Sequence, residues 1–385
     1  MAADQAALDA AGPGAAAPRA AAPRAAAPHG AGPRAAAPRA ARMWLSATVA
    51  VSVSAAAAAI AAAPPGTARA PEGLAFLLFV GSSVHVASTG WFYTVPEVRA
   101  HMRQHRPRYV WWPLALIAGA GTTAMLVPPA ALEWLLLPYF GWQFFHYQKQ
   151  NLGITALAAA SQRVAPLRKA ERRALIGAGL AGIAGLLARP SLLQLPVRPI
   201  LAPLFPVATI AFAGFVAVGV GCLAVRSPAQ RPAGFCVVYL TSLGFSVPVF
   251  VFTSPYAAVA GLTIAHGLQY LLLMGLVAAA GPPATAGPRA ATVRRLAGLA
   301  ALCNIALLGG AALSIASDQA AAGPALRVLF GLFLGVVMAH FVVDAGLWRM
   351  REEFPRSFLR SRLPYLVPAA GSAANYRPPI DRLPI

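Results

Sequence analysis

From Met43 to Trp348 the chain alternates long apolar runs with short polar blocks, and the runs have the length of a membrane crossing. A bilayer core of about 30 Å takes about 20 apolar residues as helix, because no backbone amide can stay unpaired in hydrocarbon. Ten segments meet this requirement: 43–63, 72–94, 109–128, 130–160, 174–188, 200–225, 234–253, 255–280, 296–316 and 327–348. The predicted class is all-α, a polytopic integral membrane helical bundle of about ten transmembrane helices. The fourth segment is too long for a simple crossing. It also contains Lys149, Gln150 and Asn151, which predict a break or a run along the inner surface.

Composition removes the competing classes. With 58% hydrophobic and 11% charged residues and a mean hydropathy of +0.63, neither a soluble domain nor a wholly disordered chain fits. The net charge of +20 would point to nucleic acid on a soluble chain. Here the charges sit in loops between apolar runs, with no basic domain carrying the exposed aromatics that stack on bases. Cationic loops on the inner face of a bilayer explain them instead, and nucleic acid is not an expected partner.

Taking alternate loops as inside leaves only Arg69, Arg189, Arg198 and Arg327 outside, with Lys149 at the inner end of the fourth helix. Ten helices and two cytoplasmic termini follow, in a cell inner (cytoplasmic) membrane. Residues 1–42, rich in Ala, Pro and Arg, predict a disordered cytoplasmic tail, 43–348 the transmembrane domain, and 349–385 a basic cytoplasmic tail without chemistry. The run from Met43 to Ala63 reads as a first spanning helix rather than a cleaved leader, since a long tail precedes it and no compact basic region does.

The chemistry rests on histidine. Of seven histidines, His29 lies in the tail and His101 and His105 in the first inner loop, whereas His85, His146, His266 and His340 fall one each in helices two, four, eight and ten. All four helices run the same way in this topology, and the four positions lie within about five residues in depth, roughly 7 Å at 1.5 Å per residue. Ionisable groups in hydrocarbon are costly, and a ring of imidazoles from separate helices is how a bundle core builds a metal site without a local motif. The four are therefore candidate metal ligands, with iron preferred and zinc or haem as alternatives. Asp344, four residues after His340, can hold an imidazole or ligate. Tyr270, Gln150 and Gln269 are candidate catalytic neighbours.

Each has a simpler reading. A membrane histidine can be an interhelical hydrogen-bond donor, and Gln143, Gln150, Gln269 and Asn304 can be packing glue. Asp344 can pair with Arg349 and Arg351. Ser82, Ser83, Ser88 and Thr89 are expected to bond backbone carbonyls in their own helix. Trp91, Trp111, Trp112, Trp142 and Trp348 are expected as interface anchors. The glycines from Gly177 to Gly185 predict close helix packing. His101 and His105 share a helical face, but the further histidine boxes of membrane desaturases and hydroxylases are absent, so a solvated or headgroup role is expected.

The expected function is a membrane metalloenzyme, a histidine-ligated non-haem iron oxygenase, oxidase or desaturase whose lipophilic small-molecule substrate arrives through the bilayer; its electron donor is not specified by the sequence. The alternatives are a transporter using intramembrane His and Asp, or a bis-histidine haem electron carrier. Carotenoid-cleaving membrane dioxygenases have a multi-pass, four-histidine iron arrangement. That is a likeness of architecture alone, because none of their motifs is matched here.

Overall fold

The computed structural model describes residues 33–65, 69–280 and 288–367, and all regular structure among them is helical. The first helix, α1 (Pro33–Ala61), begins inside the stretch read as a tail, where Ala is the best helix former; residues 1–32 lie outside the described residues. Seven described helical stretches are long and apolar enough to cross a membrane: Pro38–Ala61, Glu72–Thr94, Pro107–Leu126, Leu204–Ala224, Tyr256–Ala280, Arg289–Ala321 and Pro324–Leu347.

In order after α1, the second crossing comprises α2 (Glu72–Phe79), a π-helical stretch Val80–Val84 and α3 (His85–Ser88). A short amphipathic helix, α4 (Pro96–Gln104), leads to α5 (Trp112–Leu126). Beyond lie α6 (Pro129–Ser161), α7 (Lys169–Ala188) and α8 (Leu204–Ala224). The chain continues through α9 (Ala233–Leu243), α10 (Val247–Val251), α11 (Gly261–Ala280), α12 (Pro288–Ser317), α13 (Pro324–Leu347) and α14 (Glu353–Arg362).

Three expected segments take other forms. Segment 130–160 is one unbroken helix of 33 residues, α6. Within the polar stretch that predicted a break, Gln150 Nε2 donates to the His266 carbonyl at 2.9 Å, and just before it Gln148 Nε2 donates to the Leu175 carbonyl at 2.6 Å, while Nδ2 of the buried Asn151 has no partner among the described residues. Segment 174–188 extends back to Lys169. Segment 234–253 splits into α9 and α10 around Gly244, with Pro248 unable to supply the amide that would carry the helix through.

The chain after Trp348 also departs from expectation. Helix α14 buries Phe358 and Leu359, and with Leu363 and Leu366 it joins the largest apolar cluster, against Phe92 and Val277. Arg362 pairs with Glu97 and donates to the Val277 carbonyl at 3.2 Å, which lets a basic residue sit in this core. Residues 368–385 lie outside the described residues.

Two packing features set the frame around the histidines. Helix α11 packs against the second crossing at Gly81 and Gly267: a Cβ on Gly81 would lie 2.6 Å from Cα of Ile264, and one on Gly267 would overlap the Gly81 backbone. Elsewhere, Glu171 and Arg226 form a fully buried pair with both carboxylate oxygens 2.6 Å from guanidinium nitrogens. Arg226 also donates to the carbonyls of Ala165 and Pro166, tying the loop before α7 to the end of α8. The glycines of α7 do serve close packing, since a Cβ on Gly179 would overlap the Gln148 side chain.

Candidate metal centre

Four helical stretches each bring one imidazole to the same place. His85 opens α3 directly after the π-helical stretch, and the others come from the middle of α6 (His146), the second turn of α11 (His266) and the C-terminal half of α13 (His340). The Gly81–Gly267 contact lets the first and third approach to backbone distance. All four side chains are buried. Their ring centroids form a closed circuit: His85–His266 4.9 Å, His266–His146 5.1 Å, His146–His340 5.0 Å and His340–His85 5.0 Å, each pair edge to face.

The nitrogens inside this circuit lack hydrogen-bond partners. The ring nitrogens of His266, Nε2 of His146 and Nε2 of His340 are buried without a hydrogen-bond partner among the described residues, and the His85 ring meets only the backbone of Gly81 and Ser82 in its own helix. Leaving a buried polar group unsatisfied costs about 1–3 kcal/mol, and a cation at the centre would take the single lone pair that each neutral imidazole offers. The donor atoms of His85, His266 and His340 lie within 4.8 Å of one another, as do those of His146, His340 and Asp344. Three atoms that close lie within about 2.8 Å of a common centre, so inward movement of less than about 1 Å would give nitrogen–metal bonds of about 2.0–2.1 Å.

A hydrogen-bond chain fixes the orientation of His340. Its Nδ1 is 2.6 Å from the Thr89 hydroxyl, which is 2.9 Å from the Tyr270 hydroxyl, which donates to Oδ1 of Asp344 at 2.9 Å. With the Tyr270 proton committed to Asp344, Thr89 donates to Tyr270 and accepts from Nδ1–H of His340. That tautomer leaves the lone pair on Nε2, the nitrogen facing the other rings. The second carboxylate oxygen of Asp344 lies 3.7 Å from His340 Nε2 and 4.0 Å from His146 Nε2.

The other expected residues occupy different places. Gln150 Nε2 donates to Oε1 of Gln269 at 3.1 Å, and Gln269 Nε2 to Ser52 at 2.7 Å, a chain joining α6, α11 and α1 beside the His266 backbone. Gln143 donates to the Tyr147 hydroxyl at 2.6 Å. Asn304 is exposed and bonds the Ala300 carbonyl of its own helix rather than gluing two helices together: depth along a helix does not fix which face a side chain takes. His101 and His105 stand 4.4 Å apart on α4, and His101 stacks on Phe354 at 4.1 Å. Its burial, then the neighbouring His105, holds the His101 imidazole below the usual histidine range, with Arg108 acting the same way and Glu352 against it.

Several contributors escape sequence reasoning. Ser82 and Ser88 bond carbonyls of their own helix as expected, but Thr89 does not, and its position four residues after His85 on the same face is the signal that points to it. Tyr147 stacks on His266 at 4.0 Å, and Phe341 on His146 at 4.6 Å, each an aromatic wall next in sequence to a ring histidine. Trp111 and Trp112 are exposed as interface anchors would be, whereas Trp91 is buried and donates to the Gly298 carbonyl at 3.1 Å.

Such a site, with five donor groups converging among apolar helices, has the composition to hold a transition-metal ion. No protein-family model matches the chain, and no curated protein or solved structure matches it either.

Proposed function

We propose that the chain is a membrane metalloenzyme whose centre is ligated by His85, His146, His266 and His340, with Asp344 as a further ligand or as the group that orients His340. The observation that carries this reading is the closed circuit of buried imidazoles with inward nitrogens left without partners. Non-haem iron is the favoured metal. Five imidazole and carboxylate donors exceed the four of an ordinary zinc site, while iron accepts a larger set and still keeps positions for reactants. Haem is disfavoured because the rings meet edge to face and leave no flat slot between an axial pair.

The reaction class proposed is oxidation of a lipophilic substrate that reaches the centre from the bilayer, in a cell inner membrane. Metal analysis with an absorption spectrum of the detergent-purified protein tests it. Stoichiometric iron without a Soret band is expected; a Soret band, or no stoichiometric transition metal, overturns the reading.

A further inference from the structure

A groove of about 390 Å³ runs between α5, α6 and α13. Its lining recurs every three to four residues on each helix, with Gly119 and Ala120 from α5, Leu132, Tyr139 and Trp142 from α6, and Met338 from α13. From Leu132 to Trp142 it is about 15 Å long at 1.5 Å per residue. The lining is overwhelmingly apolar and contains no charged side chain, and Leu135 and Trp142 on its rim remain exposed. A volume of this order accommodates a small-molecule ligand.

The groove leads to the histidines. Trp142 is one helical turn before His146, and Met338 is two residues before His340. Trp142 rests on Phe341 at 5.5 Å, and Phe341 stacks on His146 at 4.6 Å. One aromatic ring thus separates the groove's inner end from the candidate ligands.

We propose that this groove binds an extended hydrocarbon chain of the substrate, entering sideways from the bilayer, with Trp142 and Phe341 directing the reacting end toward His146 and His340. The proposal rests on the metalloenzyme reading above. It narrows the substrate class: the bound stretch carries no charge, because nothing along the groove could pair with one, and it is long and thin rather than globular. The Tyr139 and Thr123 hydroxyls are the only side-chain oxygens on the lining and admit at most a neutral polar group there.

Gly119 provides the test, since a Cβ there meets no atom within 4 Å and a larger side chain would grow into open space. The purified, metal-containing protein is irradiated with a long-chain fatty alcohol carrying a mid-chain diazirine, and adducts are mapped by mass spectrometry. Label is expected on 115–123 and 132–142, falling about tenfold or more in Gly119→Phe, where the chain would have to overpack the groove, with metal content unchanged. Leu135→Trp, which narrows the groove from its exposed rim, should reduce labelling in the same way should the first variant fold poorly. Undiminished label in both variants, or label spread evenly over the outer faces of α8 and α12, overturns the groove assignment while the metal reading stands. Absence of metal in the wild-type protein overturns the reading on which the assignment rests, whatever the labelling.

Discussion

The Tyr270 hydroxyl donates to Oδ1 of Asp344 across 2.9 Å, joining α11 to α13 four residues beyond His340. Through Thr89 this bond also sets which nitrogen of His340 bears its proton. Tyr270→Phe should therefore weaken metal binding about 10- to 100-fold, the usual effect of removing a partner that orients a ligand, without unfolding the protein. Thr89→Val should do the same, and Thr89→Ser should restore affinity. Chelator competition measures all three; unchanged affinity in both Tyr270→Phe and Thr89→Val would show that the chain has no bearing on the site.

Substitution of the ligands themselves should separate the inner histidines from the outer ones. Alanine at His85, His146, His266 or His340 is expected to lower bound metal severely, with His340 abolishing it because both donor sets use that residue. His101→Ala should leave metal content at the wild-type level. Equal occupancy in His340→Ala and His101→Ala would refute the assignment.

The close approach at Gly81 and Gly267 makes a sharper demand. Gly267→Ala forces a methyl group into the Gly81 backbone, an overpacking expected to cost about 1–3 kcal/mol and to part His85 from His266. Gly275→Ala, on the same helix with open space at its Cβ, is the control and should be neutral or slightly stabilising, since Ala favours helix over Gly by about 1 kcal/mol. Thermal unfolding in detergent, with metal content read in parallel, checks the pair.

The buried Glu171–Arg226 pair should respond asymmetrically. Arg226→Met strands a carboxylate in the core and is expected to cost about 3–5 kcal/mol, whereas the double change with Glu171→Leu should recover much of that loss. A double-mutant cycle on unfolding midpoints decides it, and additive losses would contradict the pairing.

Docking of α14 should depend on pH through His101. Because its folded-state pKa lies below the reference value of 6.5, the unfolded chain takes up the proton more readily, and stability is fully present above that value and declines as pH falls through it. Protection factors of amides 353–362, with the intrinsic pH dependence of exchange divided out, should fall as pH drops from about 7.5 to about 5, and His101→Phe should abolish the fall while preserving the stack on Phe354. A fall in protection that persists in His101→Phe would assign the effect to another group.

Much of the centre was legible because its cost is written along the chain. Four histidines, one per apolar run and at similar depth, announce themselves where almost any other ionisable group is excluded, and Asp344 and Tyr270 stand close to two of them. What could not be read is the angular face of each helix. Asn304 has a suitable depth and points outward, while Thr89, one turn after His85, turns inward to His340. Apolarity on every side of a membrane helix removes the amphipathic stripe that would orient it. The same lack of contrast hides the division of 234–253 and the continuity of α6, since a helix tolerates Gln148 and Gln150 only through partners distant in sequence.

The π-helical winding at Val80–Val84 spends one more residue than an ordinary turn immediately before His85. The ring's azimuth thus depends on the number of residues in that stretch as well as on their identity. Were the same five residues to relax to regular α winding with none removed, the imidazole would be carried through most of the roughly 100° that one residue spans around the axis, dismantling the centre without changing any side chain that forms it.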